Sequence, residues 1–256
     1  MNNIKIQKQF YDKAFTKVHV WQDADFPASS RYLHNRFLNL IVKKDTKNIL
    51  EIGCGNGLLT FFLLKKPIQV TAVDISGKAI ENIQIQFKEE VKNGKLKPVT
   101  EDVLDFLRKT GEKFDAIVGS GIIHHIPKEK WDELFQLAYK KLNPGGIFAC
   151  APEPNASGLY SIAWRLARYA YKLFNIEYDS EVEKGTFSML PSKINATLLR
   201  ANFSKVEILP FQSIPYFHLS ILAYFDRLIS DRLSGRLAMY IIIKGEKSLN
   251  ADQTIM

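Results

Sequence analysis

The chain has 256 residues, of which 46% are hydrophobic and 24% are charged. These proportions are those of an ordinary globular protein and exclude a disordered, a collagen-like and a disulfide-scaffold protein. The net charge of +8 allows an acidic partner such as nucleic acid or anionic lipid. However, basic pairs such as Lys43-Lys44 and Lys140-Lys141 are scattered along the chain, as expected of a solvated surface.

The cysteines, the first ten residues and the short apolar runs predict a cytoplasmic protein. Cys54 and Cys150 have neither the spacing of a secreted disulfide framework nor the pairing of a zinc site. The first ten residues lack the apolar core of a signal peptide, and apolar runs such as residues 61–64 are too short to cross a bilayer. We therefore expect a cytoplasmic protein without a metal.

Between residues 48 and 151, β-like runs alternate with helical stretches. The predicted strands cover residues 48–52, 68–74, 96–100, 114–118 and 147–151. The predicted helices cover residues 58–66, 76–94 with Ser76 as N-cap, 103–109 and 128–142, with a turn at 143–146. This alternation predicts a parallel sheet with helices on both faces and ligands at the carboxyl ends of the strands.

The remainder of the chain has a different texture. Two predicted helices, at residues 157–175 and 217–233, are rich in aromatic residues and arginine. A helix at 188–201 and strands at 203–211 and 237–244 complete the prediction. The two aromatic helices could pack against the sheet, form an apolar lid over a pocket, or contact a membrane surface.

The first predicted strand runs into Glu51-Ile52-Gly53-Cys54-Gly55-Asn56-Gly57. Alternate glycines after a strand let the backbone approach a ligand closely. The third glycine comes one position too early for the dinucleotide fingerprint, and no Gly-Lys-Ser/Thr follows as in a P-loop. The loop is therefore either another kind of ligand site or a tight strand-to-helix turn.

Acidic residues follow the next two strands. Asp74 at the end of the second strand could accept hydrogen bonds from ribose hydroxyls, or it could be a solvated residue or a helix cap. Asp102, after the third strand, could cap the short helix that follows or accept a hydrogen bond from an adenine amine. Both alternatives stay open from the residues alone.

Together with residues 114–118, His124-His125-Ile126-Pro127 and Leu142-Asn143-Pro144-Gly145-Gly146, these motifs resemble those of Rossmann-like (class I) S-adenosylmethionine-dependent methyltransferases. The resemblance is close over residues 48–151 and loose over 188–247. It implies an α/β fold with a doubly wound, seven-stranded, mostly parallel sheet, an antiparallel last strand and helical insertions. It also implies one methyltransferase domain over 1–256, with a helical cap (1–47), a cofactor-binding core (48–151) and substrate-side helices with the last two strands (152–247).

The resemblance further implies S-adenosyl-L-methionine as cofactor, S-adenosyl-L-homocysteine as product and no metal. Glu51 and the loop glycines would face the methionine part, Asp74 the ribose and Asp102 the adenine. Ser120, after the fourth strand, would lie near the methyl-bearing end. The whole implied cofactor-binding set is Glu51, Gly53, Cys54, Gly55, Asn56, Gly57, Asp74, Ile75, Asp102, Val103 and Ser120.

Two histidines follow the fourth strand, where the methyl group should sit. A histidine has a pKa near neutrality and can accept a proton from an acceptor, so His124 and His125 are the candidate catalytic residues. We prefer His125, which aligns with a histidine common in similar sequences. The alternative is that either histidine only shapes the loop through hydrogen bonds.

The loop after the fourth strand also bears on the acceptor. Its sequence, Gly119-Ser120-Gly121-Ile122, departs from the Asn/Asp-Pro-Pro-aromatic run of enzymes that methylate base amines. We therefore expect a small-molecule or lipid-like acceptor, methylated at oxygen, with a carbon or nitrogen acceptor still open. Candidate acceptor-binding segments are the N-terminal stretch (Tyr11, Trp21, Arg31-Tyr32) and the helices at 157–175 and 217–233. The alternatives are an RNA methyltransferase, a non-catalytic cofactor-binding protein and, on weaker grounds, an oxidoreductase.

Overall fold

The structure is a computed structural model that describes residues 3–26, 28–158, 161, 189–212 and 238–249. Its strands form a seven-stranded sheet in the order β3-β2-β1-β4-β5-β7-β6. Neighbouring strands from β1 to β5 pair in parallel, whereas β7 runs antiparallel to both β5 and β6. The mostly parallel sheet with an antiparallel last strand is thereby confirmed. The strands are β1 Asn48–Ile52, β2 Gln69–Asp74, β3 Leu96–Thr100, β4 Phe114–Gly119, β5 Leu142–Pro154, β6 Lys205–Gln212 and β7 Tyr240–Glu246.

Helices cover both faces of this sheet. They are α1 Asn3–Ala14, α2 Ala28–Ile41, α3 Leu58–Leu63, α4 Gly77–Gln86, α5 Lys88–Lys92, α6 Val103–Lys109, α7 Trp131–Lys141 and α8 Pro191–Arg200. Short 3-10 turns occupy Asp23–Asp25, Ile123–His125 and Lys128–Lys130. Among the helices within the described ranges, none is long and apolar enough to span a bilayer.

Two hydrophobic cores lie on opposite faces of the sheet. Because successive side chains of a strand point to opposite faces, Leu50 and Ile52 join one core and Ile49 joins the other. The first core is completed by α6, α7 and α8, and the second by α2, α3 and α4. The strand order reverses between β1 and β4. The loops that follow these two strands therefore diverge and leave a crevice.

Several element boundaries differ from the sequence prediction. Helix α3 ends at Leu63, three residues before the predicted end, and the chain leaves it in a turn in which Lys66 N–H donates to Leu63. The predicted helix from Ser76 to residue 94 is two helices, which meet at Phe87 with φ −111° and ψ 40°. The side chain of Phe87 is buried, and Ser76 caps α4 as predicted.

The region around residues 128–146 also differs. The predicted helix 128–142 begins as a 3-10 turn and becomes α-helical only at Trp131. The predicted turn at residues 143–146 lies inside β5, as an irregularity in its pairing with β4. Gly145 adopts a left-handed φ of 74° there, which is why a strand can make this excursion at a glycine.

The late elements agree with the prediction where the structure describes them. The predicted helix 188–201 is α8, and the predicted strands 203–211 and 237–244 are β6 and β7, with shifted ends. The predicted helix 217–233 lies outside the described residues. So does the predicted helix 157–175, apart from residues 157, 158 and 161.

Candidate functional site

A cavity of about 270 Å³ opens at the carboxyl ends of β1 to β4. Four loops and one helix build its wall, because the reversal of strand order leaves this edge of the sheet uncovered. The loops after β1, β2 and β3 form one end, which we call the inner end. The loop after β4 and helix α1 form the other, which we call the mouth. The lining residues are Gln7, Tyr11, Phe15, Glu51, Gly53, Cys54, Gly55, Asn56, Leu58, Leu59, Val73, Asp74, Ile75, Glu101, Asp102, Val103, Ser120, Gly121, Ile122, His125 and Ile126.

The glycine loop after β1 presents its backbone to this cavity. Gly53 and Gly55 have φ of 65° and 50°, in the left-handed region that residues with a Cβ enter only with strain. A Cβ at Gly53 would lie 2.5 Å from Cδ1 of Ile122, so the loop also packs directly against the mouth. Gly57 begins α3 as its N-cap residue and is not among the lining residues.

Asp74 lies at the inner end with only 8% of its surface exposed. Its Oδ2 accepts the N–H of Gly55 and its Oδ1 accepts the N–H of Ser76, each at 2.8 Å. Burial raises the pKa of this carboxyl above its usual value, although the hydrogen bonds from Ser76 and Gly55 act to lower it. Each oxygen has a second lone pair, so the fixed carboxylate can still accept hydrogen bonds from a ligand. The role of helix cap belongs to Ser76.

Glu51 is the most deeply buried acid of the inner end, with 1% of its surface exposed. Thr60 Oγ1 donates to its Oε2 at 2.7 Å. Burial is the main cause that raises the pKa of Glu51 from 4.5 to about 8; the nearby charge of Asp74 also acts to raise it, and the hydrogen bonds of Thr60 act to lower it. A bound cation would favour the ionised carboxylate, so this group can switch its charge when a cationic ligand enters.

The thiol of Cys54 also lines the inner end. Burial raises its pKa well above the ordinary value, with further contributions from Asp74 and Glu51. The thiol therefore stays protonated and has little nucleophilic character. Cys150 is buried as well, and its thiol pKa is raised for the same reason.

Asp102 closes the side of the cavity. Its Oδ1 accepts the N–H groups of Leu104 at 2.9 Å and Asp105 at 3.3 Å, so it caps α6. Asp102 nevertheless lines the cavity, beside the apolar side chains of Ile75 and Val103. Asp102 therefore caps α6 and also lines the cavity beside Ile75 and Val103.

At the mouth, the two histidines have different surroundings. His125 lines the cavity, and its Nε2 lies 3.0 Å from the hydroxyl of Tyr11. His124 is not among the lining residues, and its Nδ1 lies 2.8 Å from Oε2 of Glu153. The contact of His124 with Glu153 agrees with the alternative that a histidine here shapes the loop through hydrogen bonds.

Glu153 of β5 anchors the loop that carries both histidines. Its side chain is fully buried, and its Oε1 accepts the N–H groups of Ile122 at 2.8 Å and Ile123 at 2.9 Å. Sequence reasoning missed this residue. The available signal was a carboxylate between two prolines at the end of an apolar strand, where burial requires hydrogen-bonding partners.

The predicted site residues come together in the cavity wall, except Gly57 and His124. Gln7 and Phe15 were missed, and Tyr11 was expected only as part of an acceptor-binding stretch. Gln7 and Tyr11 lie on one face of α1, and Phe15 follows at the same spacing of four just beyond its end, which is the pattern that would have identified them.

Charge in the cavity wall has one sign. Its acidic members are Glu51, Asp74, Glu101 and Asp102, and none of the described lining residues is Lys or Arg. Glu101 makes an ion pair with Lys109, so part of its charge is compensated. Within the described ranges, no group of three or more His, Cys, Asp or Glu side chains is arranged to hold a metal ion.

Comparison with known proteins gives a family match for part of the chain that lines this cavity. A family model described as a methyltransferase domain matches residues 49–146. The chain is 31% identical over 103 residues to an uncharacterised methyltransferase of Mycobacterium tuberculosis, which covers 40% of this chain and 49% of that protein. It is 22% identical over 166 residues to a ubiquinone biosynthesis O-methyltransferase of Xanthomonas axonopodis, with 63% and 68% coverage. The chain thus spans about half the length of the first of these relatives.

Among solved structures, the fold is similar to that of the N-methyltransferase NodS from Bradyrhizobium japonicum in complex with S-adenosylhomocysteine. The TM-score is 0.60 at 16% identity, and the alignment covers 96% of this chain and 99% of that one. This likeness extends the agreement in fold beyond residues 49–146 to most of the chain. Residues 49–146 thus match a methyltransferase-domain family, and the chain as a whole shares the fold of that N-methyltransferase.

Proposed function

We propose that the cavity binds S-adenosylmethionine and that the protein transfers the methyl group to a small-molecule or lipid-like acceptor, at an oxygen atom. One observation carries this proposal: the two ends of a single cavity offer different chemistry. The inner end combines bare backbone at Gly55 with the carboxylates of Glu51 and Asp74, and the mouth carries the imidazole of His125.

The inner end fits the cofactor group by group. The fixed oxygens of Asp74 can accept hydrogen bonds from the two hydroxyls of a ribose. Glu51 offers a carboxylate to the ammonium group of the methionine part, directly or through water. Ile75 and Val103 offer apolar surface for a purine ring, and Asp102 lies beside them. When bound, the cofactor supplies an electrophilic methyl group on a positively charged sulfur, which suits a wall of acidic residues.

The mouth fits an acceptor that loses a proton. An oxygen acceptor becomes a better nucleophile when its hydroxyl proton is removed, and an imidazole with an ordinary pKa of about 6.5 can take that proton near neutral pH. His125 is the histidine among the described lining residues. Ser120 and Gly121 line the same end and leave room for the acceptor beside the ring.

The charge and size of the cavity favour a small acceptor over RNA. A polyanion needs basic side chains near its binding site, whereas the described wall carries acidic ones and no Lys or Arg. A volume of about 270 Å³ lies near the lower end of small-ligand sites. The relative from Xanthomonas axonopodis is an O-methyltransferase by name, which agrees with an oxygen acceptor.

Isothermal titration of the protein with S-adenosylhomocysteine tests the cofactor part of the proposal. We expect saturable binding with one site per chain and a dissociation constant in the micromolar range. Absence of binding at high micromolar concentrations contradicts the proposal. A titration with NADH serves as the control, because the glycine spacing after β1 excludes a dinucleotide.

A labelling experiment tests the acceptor. The protein is incubated with S-adenosylmethionine that carries a radioactive methyl group. Separate incubations contain the small-molecule, the lipid or the RNA fraction of a cell extract. We expect label in the small-molecule or lipid fraction, with mass spectrometry locating it on oxygen. Label in RNA supports the RNA methyltransferase alternative. Binding of S-adenosylhomocysteine without label in any fraction supports the non-catalytic alternative.

A further inference from the structure

Helix α1 reaches across the mouth and contacts His125 at two points. The hydroxyl of Tyr11 lies 3.0 Å from Nε2 of the ring, and the two rings meet edge to face with centroids 5.6 Å apart. One helical turn earlier, Nε2 of Gln7 donates to the carbonyl oxygen of His125 at 2.5 Å. The helix therefore holds both the backbone and the side chain of this residue.

The same helix also contacts Ser76, which follows Asp74 at the start of α4. Oδ1 of Asp12 accepts the hydroxyl of Ser76 at 2.6 Å and approaches the N–H of Lys78 at 3.5 Å. Ser76 in turn donates its N–H to Asp74. Asp12 thus places its negative charge at the N-terminus of α4, where the helix dipole stabilises it.

Further contacts support this docking. Nδ2 of Asn82 in α4 donates to the carbonyl oxygen of Phe15 at 2.7 Å, just beyond the end of α1. Although burial acts to raise it, the pKa of Asp12 stays below its ordinary value because Lys8, Ser76 and Lys78 donate to it. Asp12 is therefore ionised at neutral pH, and the contact with α4 persists under physiological conditions.

From these contacts we infer that Tyr11 is a positioning residue for His125: its hydroxyl holds the orientation of the ring, so the mouth is complete only while α1 is docked. The inference rests on the proposed function, since it gives the acceptor end of that cavity a second component. An imidazole can otherwise turn about its last side-chain torsion, which has a broad, roughly two-fold preference. The hydroxyl of Tyr11 contacts Nε2 and so favours one orientation of the ring.

This arrangement also links the two ends of the cavity. Asp12 and Tyr11 are neighbours on α1, and the first contacts Ser76 while the second contacts His125. A displacement of α1 at Ser76 therefore also moves the hydroxyl of Tyr11 away from His125.

The test uses the full-length protein and the variant Tyr11→Phe, which keeps the ring and removes the hydroxyl. Two-dimensional ¹H–¹⁵N spectra of the histidine side chains report ring tautomer and hydrogen bonding without any substrate. We expect the ring nitrogens of His125 to shift most in the variant. Those of His124 should shift less, because Glu153 holds that ring although it lies 3.9 Å from the His125 ring, centroid to centroid. Unchanged His125 signals, or equal shifts of both rings, overturn the inference.

Asp12→Asn and Lys13→Ala form a matched pair on the same helix. Asp12 contacts α4, whereas Lys13 is exposed. We expect Asp12→Asn to shift the His125 signals in the direction seen with Tyr11→Phe, and Lys13→Ala to leave them in place. If Lys13→Ala has the same effect as Asp12→Asn, general loosening of α1 replaces the specific contact as the explanation.

Kinetics with an acceptor found by the labelling experiment add a second readout. Loss of one hydrogen bond of ordinary strength predicts a fall in kcat of about three- to tenfold for Tyr11→Phe. Affinity for S-adenosylhomocysteine should stay within about twofold, since Asp74 and Glu51 are untouched. If the wild-type protein binds no S-adenosylhomocysteine, the proposed function fails, yet the histidine spectra still decide whether Tyr11 positions His125.

Discussion

At the inner end of the cavity, the chain holds its loops by contacts between neighbouring strands. Gly53 donates its N–H to Val73, and Gly55 donates to Asp74, 19 residues away. At the mouth, the loop after β4 depends on distant segments: Glu153 lies 30 residues from Ile123, and Tyr11 lies 114 residues from His125. The inner end is therefore built by the sheet itself, and the mouth by the elements that surround it.

This difference explains what the family match can establish. The matched residues 49–146 contain the inner end but neither Tyr11 nor Glu153. Both supports of the mouth thus come from parts of the chain that the family model does not cover. Similarity over residues 49–146 therefore supports the identity of the cofactor, whereas the acceptor must be inferred from geometry outside that range.

Replacing Asp74 with alanine should cause the largest effect, and it should be confined to the inner end. The carboxylate is proposed to accept two hydrogen bonds from the cofactor, and hydrogen bonds to charged groups contribute about 1.5–3 kcal/mol each. We expect affinity for S-adenosylhomocysteine to fall about 100-fold or more, measured by isothermal titration. Asp74→Asn, which keeps one acceptor oxygen, should lose less.

A control for this substitution is Asp105→Ala, which removes an exposed carboxylate from α6. Circular dichroism should show that both variants remain folded. An unchanged affinity in Asp74→Ala would mean that the ribose position is assigned wrongly, and that the inner end does not hold the cofactor as proposed.

Glu153→Gln should separate the two ends. The buried carboxylate accepts the N–H groups of Ile122 and Ile123 and contacts His124, and an unsatisfied buried donor costs about 1–3 kcal/mol. We expect amide hydrogen exchange to become about tenfold faster or more in residues 119–126. Exchange in residues 51–58 and the affinity for S-adenosylhomocysteine should stay nearly constant.

Glu133→Gln is the matched control, because Glu133 makes exposed ion pairs with Arg108 and Lys130. Such pairs contribute about 0–1 kcal/mol, so exchange at the mouth should not change. Faster exchange at both ends of the cavity in Glu153→Gln would show that the two ends are not held independently.

The smallest expected effect concerns the pH dependence of binding. Since the pKa of Glu51 is about 8 in the free protein, its carboxyl is largely protonated at pH 6 to 7. A cationic ligand favours the ionised form, so binding releases a proton. Affinity for S-adenosylmethionine should therefore rise severalfold between pH 6 and 8, and the slope should vanish in Glu51→Gln.

Stability gives an independent check with the opposite sign. The folded state keeps a proton on Glu51 that the unfolded state loses above pH 4.5, so the free protein loses stability as the pH rises from about 4.5 to 8. Glu51→Gln should lessen this loss, seen as a smaller fall in melting temperature over that range. Identical pH profiles in wild type and variant would mean that Glu51 is ionised throughout.

The inner end was accessible to sequence reasoning because its chemistry follows directly on the strands. Strand β1 and the residues Asp74 and Asp102 were found by pattern, since a glycine or an acid at a strand end is visible locally. For Asp102, the pattern left a cap and a ligand contact open, and the structure shows the cap. The parallel sheet followed from the alternation of elements.

The mouth was less accessible because its contacts are long-range. No residue close to His124 and His125 in the sequence indicates that Glu153 contacts one ring and Tyr11 contacts the other. The break at Phe87 has the same character, because local helix signals continue through it while the side chain turns into the core. Propensity predicts elements well, but burial of single side chains decides such details.

The separation of 114 residues between Tyr11 and His125 has a consequence for synthesis of the chain. Ribosomes add about 5–20 residues per second, so α1 emerges roughly 6 to 23 seconds before its partner at the mouth. A helix of twelve residues is marginal by itself in water, and α1 cannot dock until α4 has followed. During translation, α1 can therefore dock on α4 before the loop that carries His125 has been made, and the mouth is completed only when that loop arrives.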